Sequence, residues 1–393
     1  MMSVTSLFFG FYLLITVLLY WTLPVRWRSR FLLMSSLVLL GLTSLKLLVL
    51  IVLLSIFTYW LGKSLHRGER GKPAFIMGIV IVVGILAYYK YTPMVIENLN
   101  LGSRYLRYPF SLQVPDIVVP VGISFFTFKL IHYLIACYRQ EAPVGDFRQY
   151  LLYVSFFPIF TSGPIERWPH FSTQKPSLIS SQIFSGLTRI VIGLIKKKVL
   201  ADNLVIFANA LQAPNITSWG YWIAAYAYAF QIYWDFSGYS DIAIGSARLF
   251  GYEIMENFNW PYLQRNLSLF WKNWHITLTG WFIQYIFIPL GGSRVPFPRI
   301  VFNTLIVMAV TGIWHGAAWH FMGWGLFHGF GLIAWRIYGM VIGKKIGPHW
   351  GDSLPIKVIS TVITFHYVVL GWVFFATGIR QSLHVVAKML FLQ

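Results

Sequence analysis

The sequence predicts an all-α polytopic membrane protein, and two observations carry that expectation. Of its 393 residues 57% are apolar and only 11% charged, with a mean hydropathy of +0.64, far from the composition of a soluble domain. The apolar residues also come in unbroken runs of about 15 to 20, enough for a helix to cross a bilayer, instead of alternating over about ten as barrel strands do.

The first run, from about Leu7 to Leu23, lacks the basic start and small-residue cleavage pattern of a signal peptide and reads as a retained span. Further runs follow at Phe31–Leu45, Leu47–Leu61, Phe75–Tyr89, Ile117–Cys137, Ile300–Val310 and Val358–Ala376. No stretch between them has room for a separate soluble domain. One integral-membrane domain is expected over 1–393, with scaffold spans in 1–114, a catalytic core in 115–342 and a closing segment in 343–393.

A formal net charge of +19 would point to nucleic acid in a soluble protein. Here the basic residues fall between the spans and report topology. Arg26, Arg28 and Arg30 precede one apolar pair and Lys63, Arg67, Arg70 and Lys72 follow it, with Lys46 at a tight reversal. By the charge-bias rule those loops face the cytoplasm, which puts the N-terminus outside and the stretch from about Tyr91 to Asp116 outside as well. Lone Cys137 offers no intramolecular disulfide and reads as a buried structural thiol.

From Val119 onward polar residues punctuate the apolar background, as in helices that face protein or a cavity. Phe156–Trp168 holds Pro158, Gly163 and Pro164, so it cannot be one straight helix. Such backbone suits either a cytoplasmic turn or the re-entrant wall of a site. Gln231–Asp241 places Asp235, Ser237, Tyr239 and Asp241 against an apolar run; the acids need partners, and Asp241 could open the following helix. Leu269–Phe282 carries His275 among aromatics, with Asn273 and Trp274 before it.

The most unusual stretch is Trp314–Gly329, which sets His315, His320 and His328 among tryptophans and glycines. On a continuous helix His315 and His320 would lie roughly 140° apart. No two of the three histidines are three or four residues apart, so a helical zinc pattern is absent and no metal is expected. A neutral buried imidazole can instead take a proton from an attacking hydroxyl and return it to a leaving thiolate. Taken singly, each histidine can equally be a hydrogen-bonded core residue.

Taken together, six stretches resemble the membrane-bound O-acyltransferase family, in its bacterial alginate O-acetyltransferase branch. They are VGISFFTF at 121–128, YVSFFPIFTSGPI at 153–165, DFSGYSDIAIGSARLFGYEIMENFNWPYL at 235–263, FWKNWHITLTGWF at 270–282, YIFIPLGGSR at 285–294 and TGIWHGAAWHFMGWGLFHG at 311–329. The resemblance implies a helical fold with broken or re-entrant helices around a transmembrane tunnel. It implies His315 as general base or immediate acyl-transfer residue and His275 as orienting or assisting residue. Asn273, Trp274, Asp235, Ser237, Tyr239, Asp241, Trp314 and His320 are then candidates for the tunnel or its supporting network. Two places depart from the branch pattern: Lys272-Asn273 replaces a basic pair, and Ile283-Gln284 replaces an Arg-Asp pair.

The expected donor is acetyl-CoA from the cytoplasm, its phosphates met by loop lysines or arginines. The implied partners are the lipid bilayer, an extracytoplasmic acetyltransferase and polysaccharide-export machinery, in a bacterial inner membrane; no nucleic acid is expected. D-alanyl transfer to teichoic acid from a carrier-protein thioester is the near alternative. A transporter gated by the broken helices, or a noncatalytic assembly protein, are the alternatives from other classes.

Overall fold

The computed structural model describes residues 4–107, 110–177, 179–342 and 353–391, so the expected start of the closing segment at 343 lies outside the described residues. Within them the regular structure is helical, apart from one isolated antiparallel bridge between Phe258 and Trp274. Four helices are long and apolar enough to cross a membrane: Leu45–His66, Lys72–Tyr105, Phe297–His315 and Leu354–Ala376. The chain is a multi-pass membrane protein, and it packs as two compact units. The first holds 1–194 and 239–255, the second 195–238 and 256–393.

The first unit opens with α1 (Leu7–Thr22), whose N-terminus is capped by the Ser6 hydroxyl accepting from the Phe9 amide at 3.1 Å. α2 (Val25–Thr43) and α3 (Leu45–His66) meet at Ser44, which is extended and accepts from the Leu47 amide at 3.3 Å. That cap makes the tight reversal beside Lys46. α4 (Lys72–Tyr105) has 34 residues and carries Pro93 inside it. At 1.5 Å per residue it is about 51 Å long, well beyond a hydrocarbon core of about 30 Å. The stretch from Tyr91 onward is therefore helix as far as Tyr105. The extended chain beyond returns onto it, because Asn100 bonds both backbone groups of Leu112 and Ser103 both of Phe110.

α5 (Ile123–Tyr138) is buried along almost its whole length, packed by α3 and α4. Buried Lys129 donates to the Tyr153 carbonyl at 3.1 Å. The double-proline segment is broken as its composition requires. α6 (Phe147–Ser155) gives way to a 3-10 turn at Phe157–Ile159, and α7 (Trp168–Ser172) follows an irregular stretch. Much of this segment is buried in protein, so its polar backbone needs internal partners. Fully buried Glu166 supplies some: its carboxylate accepts from the Arg167 amide at 2.9 Å and the Met255 amide at 3.1 Å, and pairs with His170 Nδ1 at 2.7 Å. α8 (Ser180–Leu194) completes the first unit's own helices.

A π-helical turn at Ile195–Ala201 leads the second unit into α9 (Asp202–Ala208). α10 (Ser218–Arg248) is one helix of 31 residues shared between the units, divided at Gly238. Asp241 therefore does not open a helix. It lies inside α10, where a buried carboxylate is tolerated because Arg189 Nε meets it at 2.8 Å. The second unit continues with α11 (Leu267–Asn273), α12 (Ile276–Phe282), a π turn at Ile283–Phe287, α13 (Phe297–His315), α14 (Trp319–Val341), α15 (Leu354–Ala376) and α16 (Ile379–Met389). Its core is aromatic: Tyr262, Phe270, Trp271, Trp274, Trp324 and Trp372 pack together.

Candidate active site

His315 is the last residue of α13, and Gly316 leaves the helix in an extended conformation at φ −164°. Two helices thus share the histidine-rich stretch, and the angle expected between His315 and His320 on a continuous helix does not apply. The glycines explain the hairpin. A Cβ on Gly312 would overlap the Phe321 carbonyl and one on Gly325 the Met308 carbonyl, so the α13 and α14 backbones touch at these positions.

This close approach builds the wall around His315. Half-buried, its ring meets Trp324 of α14 edge-on at 5.0 Å and Phe375 of α15 at 5.2 Å, beside its neighbour Trp314 at 4.8 Å. Trp324 is fully buried and touches His328 at 5.2 Å. His328 is itself fully buried among Phe270, Trp271, Phe327 and Tyr367. His320 turns to the Phe374 carbonyl, 3.1 Å from its Nδ1.

His275 arrives by a different route. It is the N-cap of α12 with φ 43° and ψ 56°, a left-handed backbone rare for a residue with a side chain. The chain holds it there by pairing 257–259 against 273–276. Asn259 N donates to the Asn273 carbonyl at 3.1 Å and Ile276 N to the Asn257 carbonyl at 2.9 Å. The Asn257 side chain takes the Thr277 hydroxyl at 2.7 Å, and Thr279 donates to the Trp274 carbonyl at 3.1 Å. The His275 ring, 2% exposed, stands edge-on to Phe236 at 4.6 Å and lies 6.1 Å from Trp314.

Of the ten sequence-selected residues, His275, Trp314 and His315 come together through these ring contacts. Trp274 packs behind His275, against Tyr233, Phe258, Tyr262, Phe270 and Trp372. Asn273 ends α11 with its amide on the Leu269 carbonyl at 2.8 Å. Asp235 is ion-paired with Lys197, which also binds Asp202 at 2.9 Å. The buried Ser237 hydroxyl finds no hydrogen-bond partner among the described residues. Tyr239 and Asp241 belong to the first unit, where Tyr239 hydrogen-bonds Thr161 and Asp241 holds Arg189. Sequence reasoning missed Asn257, Phe236, Trp324 and Phe375. Asn257 lay within a matched motif, but nothing local marks an asparagine that anchors a strand pair 16 or more residues ahead.

No group of three or more His, Cys, Asp or Glu residues that could hold a metal occurs among the described residues.

The profile of the membrane-bound O-acyltransferase family matches residues 42–367. The chain belongs to this family. A protein described as a probable alginate O-acetylase AlgI from Pseudomonas syringae pv. tomato is 33% identical over 98% of this chain and 73% of its own length. The peptidoglycan O-acetyltransferase of Helicobacter pylori is also 33% identical, over 91% of this chain and 73% of its own. A teichoic acid D-alanyltransferase of Streptococcus thermophilus is 30% identical over 65% of this chain and 68% of its own. This family member thus has relatives named for O-acetylation and for D-alanylation.

Proposed function

We propose that the protein passes an acetyl group from cytoplasmic acetyl-CoA across the membrane for O-acetylation of an exported polysaccharide, delivering it to an extracytoplasmic partner acetyltransferase. The observation that carries this reading is the meeting of His315 and His275 at Trp314, on segments 40 residues apart in sequence, in a chain 33% identical to named O-acetylating proteins.

His315 is half-buried and can be reached, whereas His275 is enclosed and edge-packed, which suits the first to proton transfer and the second to orientation. As the acceptor oxygen attacks the thioester carbon, a C–O bond forms and the hydroxyl proton passes to the neutral His315 ring. Collapse breaks the C–S bond, and the same proton moves to the leaving thiolate.

Basic side chains near helix ends bear on direction. Arg299 near the start of α13, Arg336 near the end of α14 and Lys357 near the start of α15 lie at one end of the antiparallel trio α13–α15. The charge bias assigns that end to the cytoplasm and the His315 end to the opposite side.

Membranes carrying the protein, given radiolabelled acetyl-CoA and the native partner or glycan, test the reading. His315→Ala is expected to lower product formation by about 10²- to 10⁴-fold, the usual contribution of a general base. Normal acetylation by a folded His315→Ala protein overturns the role. The 30% identity to a teichoic acid D-alanyltransferase favours one second reading, D-alanyl transfer from a carrier-protein thioester. Turnover with that donor and none with acetyl-CoA would select it.

A further inference from the structure

A cavity of about 390 Å³ opens on the second unit, where the chain before α11 meets the first turns of α15. Leu263, Gln264, Arg265, Leu269, Lys357 and Thr361 line it. Its polar wall therefore carries two cations, an amide and a hydroxyl, a set that offers donors and positive charge to an anion. Lys357 also sits in the first turn of α15, the positive end of a 23-residue helix.

The surroundings say which anion. Leu263 is exposed at the rim, and so are Val358, Ile359, Val362 and Ile363 on the α15 surface beside and beyond the cavity. An apolar helix face of a membrane-spanning segment, exposed in the protein, is covered by acyl chains in the bilayer. A cationic pocket continuous with such a face matches a phosphate group that carries hydrocarbon chains. Free phosphate would use the cations but gain nothing from the adjoining apolar face.

We infer that this cavity is a binding site for the phosphate headgroup of an anionic phospholipid, with Arg265 and Lys357 on the phosphate, Gln264 and Thr361 as hydrogen-bonding neighbours, and the acyl chains along Val358, Ile359 and Val362. The site lies apart from the histidines. Phe375 and Trp372, which meet His315 and Trp274, are 11 or more residues beyond Thr361, the cavity residue furthest along α15, a rise of about 16 Å. It does not depend on the acyl-transfer reading. Nucleotide phosphates of an acyl donor share the chemistry, and the test separates the two sources.

Native mass spectrometry of the full chain reads bound lipid directly, using phosphatidylglycerol and phosphatidylcholine with identical chains. The wild type is expected to retain one phosphatidylglycerol in preference to phosphatidylcholine. Arg265→Gln and Lys357→Gln should each weaken retention by about fivefold, the worth of one cation near a membrane surface, and the double variant by more. Arg299→Gln, at the same end of the unit but outside the cavity, should leave it unchanged. Charge-keeping Arg265→Lys and Lys357→Arg should restore most of the retention, which separates loss of the site from loss of folding. Equal retention of the two lipids, or unchanged phosphatidylglycerol in the double variant, overturns the site. Displacement of phosphatidylglycerol by coenzyme A at equal concentration overturns the lipid assignment in favour of the donor's phosphates.

Discussion

His170 and Glu166 show how one surface group can read out a buried one. Glu166 is enclosed, whereas the His170 side chain is 45% exposed. The bond to Glu166 holds the His170 pKa above its ordinary 6.5, against a smaller opposing effect of burial. A raised folded-state pKa means that the stabilisation is fully present below the unfolded value and is lost as pH rises through the folded one. Thermal unfolding followed from about pH 6 to 8.5 should therefore show a falling midpoint, and His170→Gln should flatten that slope. An unchanged slope in the variant would remove His170 as its source. Asn257 is a second residue with a sharp expectation. Asn257→Ala removes the acceptor of the Thr277 hydroxyl and should cost about 1–3 kcal/mol, read as a lower unfolding midpoint. It should also lower acyl transfer beyond the loss of folded protein, because the left-handed backbone at His275 keeps its backbone pairing but loses the side-chain bonds that fix Thr277 beside it.

At the scale of elements, the α13–α14 hairpin depends on two glycines that let backbone touch backbone. Gly325→Ala would drive a methyl group into the Met308 carbonyl and force the helices apart, at a cost of about 1–3 kcal/mol. The Trp324 and His315 rings face each other across that same contact, so activity should fall with it. Gly323→Ala, whose Cβ would meet nothing within 4 Å, is the matched control: helix propensity should raise its unfolding midpoint slightly, by about 0.4–1 kcal/mol, and acyl transfer should be unchanged. Equal effects of the two substitutions would show that helix propensity, not the close approach, is at stake. The hairpin also shows where element reading falls short. Apolar periodicity runs straight through Trp314–Gly329, and only the packing of Phe321 against Gly316 reveals that the helix stops at His315. α10 differs in the opposite sense: the residues let Asp241 open a helix, but one helix runs through it, with Lys197 and Arg189 neutralising Asp235 and Asp241.

On the scale of the whole molecule, the charge distribution makes a claim about direction. Cys137 is buried, so cysteines introduced elsewhere can be labelled over a low background. Arg299→Cys and Arg336→Cys should react with an impermeant maleimide in inside-out vesicles and stay protected in intact cells. The reverse pattern would turn the protein over and place the cationic end of the second unit outside.

Membrane residence, helical class, broken backbone at Phe156–Trp168 and the motifs that identify the family were all legible in the residues. Each depends on local quantities: the transfer cost of a residue, the dihedral limits of proline, and the spacing of a motif. What only the tertiary structure decided was partnership. It brought His275 to Trp314 and His315, gave Asp241 to Arg189 and Tyr239 to Thr161, and made Asn257 the anchor of a strained histidine. Such choices depend on which distant backbone can approach closely enough to satisfy a buried polar group, a condition no residue meets by itself.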